Sequence, residues 1–231
     1  MTVVSSSLRT AREFLDLVDH SILKPWLPPE EVAAGLDFAR RTRPKAVCVL
    51  PTAVRRAAEA LDGSGVLIGA VNGFPSGDHP TEVKALECRL TDRDGAVEID
   101  TVIDIAALKR GDLRRVIDDL RAVVEATDHC VKAIVESPVL SDDELRLACE
   151  AVVEAGAGFI KTGTGFNGAA TPAQVRLMRA CVGPDLPLKA AGGIRTLADA
   201  RAMVDAGATR LGVSGTQAML AEFDAESRDE L

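Results

Sequence analysis

The chain of 231 residues carries only three histidines, His20, His79 and His129, and they lie far apart. Metal centres of the His/carboxylate type draw on clustered donors, so no metal site is expected. The five cysteines (Cys48, Cys88, Cys130, Cys149 and Cys181) are scattered, odd in number and never in a CxxC pair. That speaks against a disulfide framework and a structural zinc site, and fits a reducing cytosol. No apolar run approaches the roughly 18–20 residues that a membrane span needs. Residues 1–9 are Ser-rich and polar, without the apolar core of a signal peptide. Positive charge is in deficit as well: 27 Lys and Arg stand against 35 Asp and Glu, for a net charge of −8. With a pI of about 5.0, the global field repels nucleic acid and acidic membranes. These absences leave a cytoplasmic protein that acts on a small molecule, with any phosphorylated ligand held by a local site.

What is present is alternation. Short β-branched runs at 17–22, 45–50, 66–71, 97–103, 130–136, 159–162, 186–190 and 209–213 read as strands. Between and after them, helical patterns cover 29–41, 52–61, 81–91, 106–126, 142–155, 171–181, 197–206 and 217–223. Ser141-Asp142-Asp143-Glu144 has capping-box spacing, and Thr171-Pro172 puts proline at a first helical position. Ala155-Gly156 and Ala206-Gly207 read as helix stops. At 47% hydrophobic content the chain can bury one large core. Eight β-then-α units in this length predict one (β/α)8 barrel, a single domain over residues 1–231. The structural competitor is a doubly wound open sheet. Its glycine-rich dinucleotide loop is missing, because the first βα turn reads Lys24-Pro25-Trp26-Leu27-Pro28. The acidic tail, 222–231, is expected to fray.

Two lysines, each ending a short apolar run and each followed by glycines, carry the functional reading. They are Lys161, in Phe159-Ile160-Lys161-Thr162-Gly163-Thr164-Gly165, and Lys189, in Leu188-Lys189-Ala190-Ala191-Gly192-Gly193. A free lysine, with a pKa of about 10.4, is almost wholly protonated at neutral pH. Burial and a second ammonium nearby both favour the neutral amine, the recipe for a nucleophile that attacks carbonyls. On the fourth strand, period-2 alternation predicts that Glu98, Asp100 and Asp104 point into the barrel, where Lys132, Lys161 and Lys189 supply counter-charge. Asp100 is then a general acid/base that relays protons through water, and Lys132 with Glu98 reads as a structural ion pair. Gly192-Gly193-Ile194-Arg195-Thr196 and Gly212-Val213-Ser214-Gly215-Thr216 read as anion cradles after strands seven and eight, where barrels place phosphate; Gly165 is added to them. Cys48 reads as core, and Arg12, Arg55, Arg56, Arg114 and Arg115 as solvated helix faces.

Together these motifs resemble deoxyribose-phosphate aldolase, a metal-independent class I aldolase family with a TIM-barrel fold. The likeness runs from Asp19-His20-Ser21-Ile22-Leu23-Lys24-Pro25, through Gly73-Phe74-Pro75-Ser76-Gly77 and Glu98-Ile99-Asp100, to Gly212-Val213-Ser214-Gly215. The resemblance implies that Lys161 forms the Schiff base, Lys189 lowers its basicity and Asp100 relays protons. It further implies no cofactor or metal, a commonly dimeric or tetrameric homo-oligomer, and reversible cleavage of 2-deoxy-D-ribose 5-phosphate. Three positions depart from the family pattern: Gly163 replaces a serine, Ser214-Gly215 replaces paired serines, and Asp104 stands where asparagine is frequent. A carboxylate at 104 would disfavour an anionic substrate. The acceptor therefore stays open between a phosphorylated and an unphosphorylated aldehyde, with a non-catalytic sugar-phosphate-binding barrel as the remote alternative.

Overall fold

A computed structural model describes residues 8–229, so the polar stretch before Leu8 and the last two residues of the tail lie outside the described residues. Eight strands close in sequence order into a parallel barrel, each hydrogen-bonded to the next and β8 returning to β1. The strands are β1 (Val18–Ile22), β2 (Ala46–Val49), β3 (Leu67–Asn72), β4 (Glu98–Val102), β5 (Cys130–Ile134), β6 (Phe159–Lys161), β7 (Leu188–Ala191) and β8 (Arg210–Val213). The predicted barrel is the observed one, and the open-sheet alternative falls away.

Helices sheath it: α1 (Ala11–Leu15), α2 (Pro29–Thr42), α3 (Val54–Leu61), α4 (Thr81–Arg93), α5 (Ile105–Lys109), α6 (Leu113–Val124), α7 (Asp142–Glu154), α8 (Pro172–Val182), α9 (Leu197–Asp205) and α10 (Thr216–Asp229). Their starts are written locally. Ser141 with Glu144, Thr171 with Gln174 and Thr196 with Asp199 each form a reciprocal capping box, which satisfies donors that a helix start leaves open. The core lies between the outward strand residues, such as Val47, Ile99, Ile160 and Leu211, and helix residues such as Leu36, Leu120, Leu145 and Val175, all buried. Burying each such side chain contributes about 1.5–3 kcal/mol.

Three expectations need correction. The predicted helix at 106–126 is two helices, because Gly111 turns the chain through φ 74° and Asp112 caps α6 by accepting Arg115 N–H at 3.1 Å. The tail does not fray at 222: α10 continues to Asp229, with Glu226 paired to Arg201 at 2.8 Å and Glu222 accepting Leu197 N–H at 3.0 Å. The short α1 went unpredicted, although Thr10 and Glu13 form a capping box there and Phe14 packs on Phe223 with ring centroids 5.7 Å apart.

One ion pair lies under the helical sheath. Lys84 on α4 donates to Asp119 on α6 at 2.6 Å and to the Val102 carbonyl at 2.7 Å, and Thr81 donates to the same carboxylate. Both side chains are fully buried. Removing one partner of such a pair strands the other charge, at a cost of about 3–5 kcal/mol. Asp119→Ala is therefore expected to lower unfolding stability by about that amount in urea titration. The Lys84→Met/Asp119→Leu double variant should be less damaged than the single one.

Candidate active site

The barrel interior is lined by charge rather than by the usual layers of branched apolar side chains. Arg210, near the lower rim, donates to Asp19 at 2.6 Å and to Glu98 at 3.2 Å. Lys132 donates to Glu98 at 2.5 Å and to Asp19 at 3.0 Å. Lys189 lies 2.5 Å from Asp19 and 2.7 Å from Asp100, and Lys161 lies 2.7 Å from the same Asp100 oxygen. The result is one continuous column from the first residue of β8 to the last residue of β6. Register places its members: Asp100 stands beside Lys132, and Lys161 beside Lys189. Below, the Phe159 ring lies 5.7 Å from the Lys132 ammonium and 5.4 Å from the Arg210 guanidinium.

Burial and pairing pull these groups in opposite directions, and pairing wins. Burial raises the Asp100 carboxyl, but Lys132, Lys161 and Lys189 hold it well below the usual carboxylate range. Burial lowers Lys189, but Asp100 and Asp19 more than offset it and keep the ammonium charged. Lys132 is likewise held well above its ordinary value against burial, by Asp100, Asp19 and Glu98. Asp100 rests as an anion with one unused acceptor: its Oδ1 accepts no hydrogen bond, although the Lys132 ammonium pairs with it at 3.3 Å. Cys48 approaches the other oxygen at 3.8 Å. Burial, with the Asp100 charge, pushes its thiol up to about 11, so it is an inert thiol facing the interior rather than part of the outer core.

A cleft of about 870 Å³ opens above the column, at the C-terminal ends of β6, β7, β8 and β1. Lys161 lies at its floor, while Asp100 and Lys189 are sealed beneath. Gly165, Gly192 and Gly193 line the wall, with Arg195, Gly212 and Ser214 also facing it. Gly165 and Gly192 touch backbone to backbone: a Cβ on either would lie 3.3–3.4 Å from the other, and both have positive φ. Gly212 has a different job, since a Cβ there would come within 3.0 Å of the Lys189 side chain. Three expectations do not hold. Gly215 lies outside the cleft lining, its carbonyl instead accepting the first-turn N–H groups of Ala218 and Met219. Asp104 does not point into the barrel. The strand ends at Val102, and Asp104 caps α5 by accepting Ala107 N–H at 2.8 Å and pairs with Arg115 at 3.4 Å. The Arg195 and Thr196 amides, read as part of a cradle, are already taken by Asp199 at 3.0 Å.

Sequence reasoning missed Asp19 and Arg210 as members of the column, and Lys24 at the cleft wall. For Arg210 the signal was available: a charge inside a β-branched strand, as with Lys132. His20 also lines the cleft and shares a 2.9 Å hydrogen bond with the Thr216 hydroxyl. Among the described residues no three His, Cys, Asp or Glu side chains are grouped to hold a metal ion, and no helix is long and apolar enough to cross a membrane.

Residues 17–224 match the model of the DeoC/LacD family of aldolases. The chain is 44% identical over 217 residues to the deoxyribose-phosphate aldolase of Staphylococcus carnosus, covering 93% of this chain and 99% of that one. It is 48% identical over 205 residues to the enzyme of that name from Streptococcus pneumoniae serotype 19F, covering 88% and 93%. Among solved structures, the tetrameric deoxyribose phosphate aldolase from Aeropyrum pernix superposes with a TM-score of 0.89 at 28% identity, over 95% of this chain and 94% of that one.

Burial alone pushes the His20 imidazole down to about 4. A depressed histidine contributes stability that is complete above the unfolded value, about 6.5, and is lost as pH falls through the folded value. The wild type is therefore expected to lose about 3 kcal/mol from this group between pH 7 and pH 4. His20→Gln should flatten that part of the pH–stability curve, measured by urea unfolding at each pH.

Proposed function

The chain belongs to the DeoC/LacD family of aldolases, and from that premise we propose that it reversibly cleaves 2-deoxy-D-ribose 5-phosphate to acetaldehyde and D-glyceraldehyde 3-phosphate through a Schiff base on Lys161. One observation carries the chemistry: a single Asp100 oxygen accepts from both Lys161 and Lys189 at 2.7 Å, directly beneath the cleft. Three carboxylates (Asp19, Glu98, Asp100) face four cationic side chains (Lys132, Lys161, Lys189, Arg210) in the column. Attack on a carbonyl falls to Lys161, the cationic member whose side chain lines the cleft.

The steps follow from that arrangement. The Lys161 amine adds to the C1 aldehyde of the open-chain sugar, giving a carbinolamine, and loss of water leaves an iminium. The Asp100 carboxylate, poised as an acceptor, takes the C3 hydroxyl proton through an intervening water. The C2–C3 electron pair moves into the iminium, C3 leaves as the aldehyde of glyceraldehyde 3-phosphate, and an enamine remains. Protonation at C2 and hydrolysis release acetaldehyde and restore the amine. The iminium is the electron sink, so the reaction calls for no metal or other cofactor. Lys189, locked as a cation by Asp19 and Asp100, keeps positive charge beside Lys161.

For the phosphate, Gly192, Gly193, Arg195, Lys24 and Ser214 are the candidates among the residues that line the cleft. Identity of 44–48% to proteins named for the phosphorylated substrate disfavours an unphosphorylated acceptor. By relation to the Aeropyrum pernix tetramer the chain assembles as a homo-oligomer, a dimer or tetramer.

Borohydride reduction in the presence of acetaldehyde, followed by peptide mass spectrometry, tests the reading. An adduct on Lys161 is expected, absent without aldehyde and absent from Lys161→Ala; an unmodified Lys161 would remove the Schiff-base mechanism. Asp100→Asn is expected to lower kcat by about 10²–10⁴-fold.

A further inference from the structure

Glu136 follows β5 with φ 57° and ψ 51°, a left-handed conformation that non-glycine residues rarely adopt. Among the described residues only Arg43, at a helix end, shares this with it. Strain of this kind persists where the surroundings hold it, and it clusters at functional sites. The side chain is fully buried, yet no cationic side chain pairs with its carboxylate among the described residues. Its carboxylate meets one backbone amide: Thr164 N–H reaches both oxygens, at 3.2 and 3.4 Å. The carboxylate also lies against the neighbouring residue, since a Cβ on Gly163 would stand 3.1 Å from Oε1.

Thr164 and Gly165 line the cleft, three and four residues after Lys161. Their segment is pinned at its start, where the Thr162 carbonyl accepts Ser137 N–H at 2.7 Å and the Thr162 hydroxyl bridges to Ala191 at 2.8 Å. Beyond Thr162, Pro138 from the segment after β5 packs on Gly163 and Gly168, and Glu136 is the side chain of that segment that reaches a loop amide. We propose that Glu136 is a positioning residue: its left-handed turn aims a buried carboxylate at the Thr164 amide and so fixes the Gly163–Gly165 loop against the substrate's cleft. It touches no reacting atom and acts through the loop. The assignment deepens the proposed function, on which it rests for its kinetic consequence.

Two variants separate reach from fold. Glu136→Asn suits a left-handed backbone, because asparagine tolerates that conformation, but its amide is one methylene too short to meet Thr164. Glu136→Gln keeps both the length and an acceptor oxygen. Losing a hydrogen bond to a charged acceptor corresponds to about tenfold or more. In Glu136→Asn, hydrogen exchange of the Thr164 amide is expected to accelerate by about that factor, and KM for 2-deoxyribose 5-phosphate to rise about tenfold, with melting temperature held and acetaldehyde trapping of Lys161 intact. Glu136→Gln should restore both readouts to within about threefold of wild type. Wild-type exchange at Thr164 in Glu136→Asn, or equal damage in both variants, would overturn the assignment. If the wild type neither cleaves nor traps, the aldolase reading falls while amide exchange still decides whether Glu136 anchors the loop.

Discussion

Asp100 is the constraint around which the barrel is organised. A carboxylate with no exposure is tolerable only when cations pay its desolvation, and three ammonium groups approach it within 3.3 Å. Each of those lysines would in turn be stranded without it. The dependence spreads downward, since Lys132 and Lys189 share Asp19, and Asp19 shares Arg210 with Glu98. The parallel strands therefore position a chain of mutually dependent charges, and no member can be changed without altering the field on the others.

That chain is graded along the barrel axis. At the lower end lie Arg210 and the Phe159 ring, 5.4 Å from its guanidinium. At the upper end Lys161 is the member that faces a cleft, with Lys189 buried beside it. Two lysines in register, one sealed and one open, receive different duties from their position and their carboxylate partners. The sealed one is fixed as an ammonium by Asp19 and Asp100, and the open one faces the cleft where a carbonyl can reach it. Gly212 permits this arrangement at the level of packing, since any side chain there would crowd the Lys189 stem.

The parts that sequence revealed are those with local causes. Capping boxes, glycine stops and β-branched runs act over a few residues, so the eight units and most of their bounds were readable, as were two lysines ending apolar runs. The parts it concealed depend on barrel closure. Asp19 gains its importance from Lys132, 113 positions away, and from Arg210, 191 positions away; β8 comes beside β1 only when the sheet closes. Asp104 was placed inward by extending an alternation past the point where β4 ends. Glu136 sat at the end of a predicted strand, and nothing local announces a left-handed glutamate.

The three departures from the family pattern acquire different meanings once their surroundings are known. At 215 an added Cβ would meet nothing within 4 Å, so a serine would fit and its absence is simply a missing hydroxyl, at a position off the cleft wall. Asp104 spends its carboxylate on the α5 cap and on Arg115, so it sets no repulsive charge before an anionic substrate, and the objection drawn from it lapses. At 163 a side chain would press on the Glu136 carboxylate, making glycine there part of the packing that aims Glu136 at Thr164. None of the three removes a group from the Gly192, Gly193 and Arg195 side of the cleft. A phosphorylated acceptor is thus compatible with all three, because the substitutions fall where a hydroxyl is dispensable, where a charge is already spent, or where the loop itself is built.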